Sequence, residues 1–568
     1  MGGMVSFAGF RGRPRDGLFF NMNAFSATRR FFFRALATLA GLLAYGWTNA
    51  QTPVPTTDSK LVQIVTADST VVLVTEGQQR LIGNVYLIQG NVRLYCDLAI
   101  KDERVNSVRA YGRVRIIQAD SVTVTGDTAT YLGNVRQARV SGRRVTLDDR
   151  TVTLVTRRLD YDLNSRVATY NTGGTVYDKK TTLTSRVARY NTETKLVTFR
   201  EEVRINSPET DLESDSLRYS TLSKEAFFIA PTKIISKDKQ GQAKGDTLLT
   251  RSGSYNTATR ISNFLGRSTV RTEKYDLTGD TLFYDTPTEI GLARGNVVMV
   301  AKRDSVILTG NYGRYLGKEG MTRVHGNALI KRLYTRDTLY LSADTLISEE
   351  IRTAKDTTRR LRAYRNVLIF KSDFQAKCDS LVYSLADSLM SFYRKPVIWA
   401  QGSQSEGDTI LLRLVRNKLR TMYLNRRAFV ISEDTLRQYN QVKGRRITSS
   451  FDDSTRIERV IVEGNGESIY YAAGEANKPI GLNRVQCSRM NLTFQSNQVK
   501  RIVFQGKPDG SLIPPHEVTE EIKYLDGFTW RETDRPTRES VMRIKAPKPP
   551  PKPTPAGQPT ASSRKKGG

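Results

Sequence analysis

A chain of 568 residues with 38% hydrophobic and 9% aromatic side chains has the material for a sizeable core, and its formal net charge of +31 favours anionic partners. The charge is uneven: the last 28 residues hold seven cations and no anion and the first fifty a net five, so +19 remains on residues 51–540. Two histidines, His325 and His516, leave too few ligands for a zinc centre or a histidine-based triad, and three cysteines are an odd number for a disulfide framework.

The chain opens on an export signal over residues 1–50. Arg29, Arg30 and Arg34 form its basic part, Ala35 to Trp47 its apolar part, and Thr48-Asn49-Ala50 a small-residue cleavage site. Met22 offers a second start. The apolar part is too short to span a bilayer, and no cysteine follows the cleavage site to carry a lipid anchor.

From there on two signatures alternate. One is a box of Asp, Ser or Thr, an aliphatic residue, any residue and Tyr, as in Asp127 to Tyr131, Asp215 to Tyr219, Asp280 to Tyr284 and Asp379 to Tyr383. The tyrosines at 131, 161, 190, 219, 255, 284 and 315 are spaced by 30, 29, 29, 36, 29 and 31 residues, the period of stacked supersecondary units. The other is a glycine step followed by alternating aliphatics, as in Gly83-Asn84-Val85, Gly112-Arg113-Val114 and Gly295-Asn296-Val297. Glycine supplies the positive φ of a tight connection between strands, so each repeat reads as two short strands with turns, stable only when stacked on its neighbours. One carboxylate per box is too few for calcium; the Asp is expected to bond nearby backbone N–H groups. The tyrosines are expected to form a packing ladder with hydroxyls at the rim, and lining a lipid groove is their alternative use. Cys96 and Cys378 each precede an Asp at the same repeat position, which reads as a small buried apolar side chain.

The fold class expected is therefore all-β: an elongated, repetitive β-jellyroll, open, V-shaped and solenoid-like, of ~30-residue repeats. Residues 51–235 form its N-terminal part and 236–540 its continuation, with the polar run Ser236 to Gly245 as a loop or hinge between them. The Pro/Lys-rich residues 541–568 are expected to be a disordered basic tail.

The run Arg80 to Val85, with Leu94-Tyr95-Cys96-Asp97, Ala110-Tyr111-Gly112-Arg113-Val114, Leu159-Asp160-Tyr161-Asp162 and Asp215-Ser216-Leu217-Arg218-Tyr219, resembles the OstA-like (organic solvent tolerance-like) family. The resemblance implies an open jellyroll related to the periplasmic bridge protein of lipopolysaccharide transport and to the periplasmic domain of the outer-membrane assembly protein. It further implies acyl chains in an apolar groove and subunits joined end to end by strand pairing. The expected role is to bind lipopolysaccharide acyl chains and help carry them across the periplasm for outer-membrane assembly.

By strand alternation the groove candidates are Val85, Leu87, Val114, Ile116, Val145, Leu147, Val203 and Ile205. Arg113, Arg115 and Arg143 are candidates to steer the phosphates of lipid A. Leu61-Val62-Gln63-Ile64-Val65 is a candidate edge strand for pairing with other envelope transport proteins. No catalytic pair, phosphate loop, metal site or cofactor motif is apparent, so no enzyme is expected. Peripheral membrane association fits the charge, and export argues against nucleic acid as the polyanion. The alternative reading is a secreted structural β-solenoid, an adhesin or envelope spacer, without lipid transport.

Overall fold

A computed structural model describes residues 60–542 apart from 238–241, 303–304, 353–356, 417, 435, 474–478 and 496–497. The expected signal and nearly all of the expected tail lie outside the described residues. Within them 36 strands pair antiparallel into one sheet, each with strands one to three places away in sequence, from Gln63–Thr66 to Asp509–Ile513. This is the all-β jellyroll expected.

Nearly every long strand changes register near its middle. In Gln78–Gln89 the shift falls between Ile82 and Val85, and in Ser107–Gln118 between Tyr111 and Val114. The glycine steps sit at these shifts, with Gly83 and Asn84 at φ 73° and 41° and Gly112 and Arg113 at 71° and 41°. They are therefore corners inside one bent strand, and the expected turns between two short strands are corrected: a mid-strand bulge and a tight turn both need positive φ, so the residue types coincide. The turns between strands lie elsewhere, at Gly90-Asn91 and at four-residue connections such as 103–106 and 133–136.

The repeated Asp secures the corner. Asp68, Asp97, Asp127 and Asp280 each bond the residue 16 positions on, at the corner of a neighbouring strand: Asn84 Nδ2 at 2.9 Å, Arg113 Nη2 at 2.6 Å, the Arg143 backbone N–H at 2.8 Å and Asn296 Nδ2 at 2.8 Å. The partner is thus across the sheet rather than in the Asp's own turn. Hydrogen bonding by Arg113 holds the Asp97 carboxyl below the usual aspartate range.

The tyrosine period also has a pairing cause. Tyr131, Tyr161, Tyr190, Tyr219, Tyr255, Tyr284 and Tyr315 lie in one cross-strand row, and between them stand Ala138, Ala168, Val197, Ala226, Ser262 and Gly291. One large ring per two strands, beside a small partner, fills the interior without overpacking.

The sheet runs without a break through the expected hinge, because Thr232–Lys237 pairs with Ala243–Thr250. The apolar interior divides later: one buried cluster ends at Val297 and the next begins at Val324. Residues 514–540, expected to continue the jellyroll, instead form with Val541 and Met542 a strap over the outer face of the C-terminal strands. The helix Arg538–Met542 ends it, with Val541 buried. Three buried glutamines on that face hold the strap. Gln441 donates to Lys523 O at 2.7 Å and accepts from the Leu525 N–H at 2.8 Å. Gln404 does the same for Thr529 O and the Arg531 N–H, and Gln375 accepts from Arg535 Nε at 2.8 Å. Leu525 joins Phe429, Ile431, Ile469 and Leu482 in a small core beneath it.

Candidate functional site

Bending each strand at its corner brings its two ends together on the opposite side, where they form a seam. In the N-terminal strands the seam is tied by the tyrosines. The Tyr131 and Tyr161 hydroxyls donate to Gln89 and Gln118, and those of Tyr190 and Tyr219 to Asp149 and Asp178, each partner lying 41 to 43 residues away. Lys195 and Lys224 complete two of these ties, at 2.6 Å from Asp149 and 2.7 Å from Asp178. The hydroxyls are thus buried rather than at a rim. Burial pushes the Tyr170 phenol up to about 12, and those of Tyr131, Tyr161, Tyr190 and Tyr219 upward as well. Burial would raise the Asp149 carboxyl too, but donation from Lys195, Thr151, Tyr190 and the Val152 N–H outweighs it and holds the group below the ordinary aspartate value.

Inside the fold runs a second row, made of aliphatic residues. Residues directly opposite in an antiparallel pair share a face. The pairs link Leu87 to Leu94, Ile116, Val124, Leu147 and Leu154, and on through Val176, Leu183, Ile205 and Leu212 to Ile234. The row continues through Leu248, Val270, Leu277, Met299, Leu308 and Ile330 to Leu341, Ile369, Ala376 and Ile398. At about 4.8 Å per strand this apolar rail is about 100 Å long.

Four of the groove candidates, Leu87, Ile116, Leu147 and Ile205, are members of the rail. Val85, Val114, Val145 and Val203 stand two residues earlier on the same strands, next to the corners. All eight are buried, at most 3% exposed, in the part of the interior that the seam closes. The three steering candidates face outward. Arg113 and Arg143 are at corners, away from the seam, and Arg115 lies over the Tyr95 ring at 4.7 Å.

The interior changes in the middle of the chain. Leu248, Val270, Leu277, Met299, Leu308 and Ile330 are six consecutive rail members that are only half-buried, while the members on either side are buried. Tyr284 and Tyr315 are 37% and 42% exposed, and among the described residues neither hydroxyl has a hydrogen-bond partner. Small side chains leave this room, since Gly279, Gly291, Ala293, Gly310 and Gly313 take inward positions. Sequence reasoning passed over these residues because it sought large apolar side chains; the run of inward glycines was the available signal.

The free cysteines Cys96, Cys378 and Cys487 are buried, and burial pushes the thiols of Cys96 and Cys378 up to about 11 and about 12, which leaves them protonated and unreactive near neutrality. Among the described residues no helix is long and apolar enough to cross a membrane, which says nothing of strands. At the start of the sheet, Gln63–Thr66 and Ser69–Leu73 pair on one side only among the described residues, and Val71, Val72 and Val74 are exposed there.

No curated protein matches the chain. Residues 60–215 match the model of a family described as OstA-like protein, the stretch that holds the first three of the four tyrosine ties, and the chain therefore carries an OstA-like domain.

Proposed function

We propose that the protein binds the acyl chains of lipopolysaccharide along its apolar interior and helps move them through the periplasm toward the outer membrane. The observation that carries this reading is the in-register aliphatic rail, together with the OstA-like domain that forms its first part. Transfer of a methylene from water is worth about 0.8 kcal/mol, so one ~12-carbon chain laid on such a surface gains roughly 10 kcal/mol. No bond needs to be made or broken for this work. The protein acts as a carrier and not as an enzyme, and the energy of transport comes from elsewhere.

Val85, Leu87, Val114, Ile116, Val145, Leu147, Val203 and Ile205 are the N-terminal stretch of this surface. They become available to lipid when the seam above them parts. Arg113, Arg115 and Arg143 are placed to attract anions from outside, and exposed cations of this kind steer rather than hold. The one-sided strands at Gln63–Thr66 and Ser69–Leu73 suit pairing with another envelope transport protein. A second reading, a structural spacer of the envelope, is favoured by the filled interior under the closed seam.

Binding of the purified chain to lipopolysaccharide and to its deacylated form separates the two. Retention of the acylated form alone supports the carrier; equal binding of both, or of neither, supports the spacer.

A further inference from the structure

The rail is continuous, but access to it is not. Along the N-terminal strands the tyrosine ties close the seam and the rail is buried. Across strands Ala243–Thr250 to Met321–Leu333 the rail is half-exposed, the hydroxyls of Tyr284 and Tyr315 have no hydrogen-bond partner among the described residues, and the buried core is interrupted. Beyond Leu341 the rail is buried again. The opening is thus a bounded window.

The two edges of the window differ in charge. The edge formed by the ends of the strands near residues 271–276, 302 and 331–337 carries Arg271, Lys274, Lys302, Arg332 and Arg336 against Glu273, Asp276 and Asp337. Lys302 donates to Thr272 O at 2.8 Å and pairs with Asp276, so this edge is braced along itself rather than tied across the seam. Arg332 lies over the Tyr334 ring at 5.3 Å, and Leu333 and Tyr334 are exposed beside it. The facing edge carries Asp285, Glu289, Glu319, Glu349 and Glu350 against Arg260, Lys318 and Arg352, and so has the opposite net sign. An apolar floor beside one cationic lip fits an amphiphile with acyl chains and an anionic headgroup.

We propose that this window is the portal through which the acyl chains of lipopolysaccharide enter and leave the interior, with the headgroup phosphates along the cationic lip. The inference rests on the carrier reading above and adds the place of entry. The portal lies outside the OstA-like domain, whose closed seam keeps acyl chains from entering directly there.

The test is photo-crosslinking with the purified full-length chain and lipopolysaccharide, with benzoyl-phenylalanine at Leu308 in the window or at Ile116 under the closed seam. A second pair, in place of Tyr315 and Tyr161, compares the same repeat position and residue type where the bulky probe at Ile116 prevents folding. The expected result is labelling at the window positions at least roughly tenfold above the closed ones. Equal or stronger labelling at Ile116 and Tyr161 overturns the portal and leaves the carrier reading standing. Labelling at none of the four positions, in a chain that binds acylated lipopolysaccharide, also overturns the portal. Labelling by phosphatidylglycerol vesicles but not by lipopolysaccharide overturns the occupant named here. Reversing the lip with Arg271→Glu and Lys274→Glu is expected to lower lipopolysaccharide labelling at Leu308 several-fold at low salt; unchanged labelling removes the lip from the proposal.

Discussion

Lys195 and Asp149 illustrate how single residues hold this fold closed. The carboxylate is fully buried and the lysine side chain partly so, at 23% exposed, and Tyr190 and Thr151 bond the same carboxylate. Removing the cation with Lys195→Met leaves a buried charge short of its main partner and is expected to cost about 3 kcal/mol in denaturant unfolding. Since the Asp149 carboxyl is held below its unfolded value, its contribution is present above about pH 3.9 and is lost as pH falls through the lower folded value. The variant should therefore show less acid-dependent loss of stability than the parent over that window. Gly112 gives a second test at this scale. A Cβ there would stand 2.4 Å from Asp97 Oδ2, on a residue with φ of +71°. Gly112→Ala is expected to destabilise by about 1–3 kcal/mol, read as a lower denaturation midpoint at unchanged slope.

At the scale of elements, the period of the strands was legible and their ends were not. The ~30-residue tyrosine spacing and the Asp with its partner 16 residues on both reflect one strand meeting the next, which is local enough to leave a pattern. The glycine steps misled because a corner and a turn ask the same of the backbone. The inward side of the groove candidates followed from strand alternation alone. Their burial did not, because it depends on ties between residues 41 to 43 apart that no local pattern announces. The strap was hidden for the same reason: Gln404 and Gln441 meet partners 125 and 82 residues away, so residues 514–540 were read as more of the repeating jellyroll. Gln404→Ala removes both bonds that hold Thr529 and Arg531. It is expected to speed amide hydrogen exchange at Arg531 and its neighbours while leaving the N-terminal strands unchanged; equal exchange in both proteins would mean the apolar contacts alone fix the strap.

The described residues form one hydrogen-bonded sheet with two large buried clusters in its interior and a small third one under the strap, and stability should follow the two large clusters rather than the sheet. Stacked repeats unfold cooperatively only as far as neighbouring interfaces are comparably strong. The interface between Val297 and Val324 is the weakly filled one. Two separable unfolding transitions are therefore expected in denaturant, followed by probes placed on either side, and a single coincident transition would show that backbone pairing alone couples the halves. The same weakly filled stretch exposes the rail, so the place where the fold gives up packing is the place where a lipid can supply it.

A carrier of this kind requires lipopolysaccharide to touch the inward face of this sheet in living cells. The most direct measurement is in-cell photo-crosslinking at Ile330, a rail member, with a matched probe at Leu329 on the opposite face of the same strand. Lipopolysaccharide adducts at Ile330 and none at Leu329 are the result predicted. Adducts at Leu329 alone, or at neither position in a folded and exported protein, would contradict an interior acyl-chain carrier.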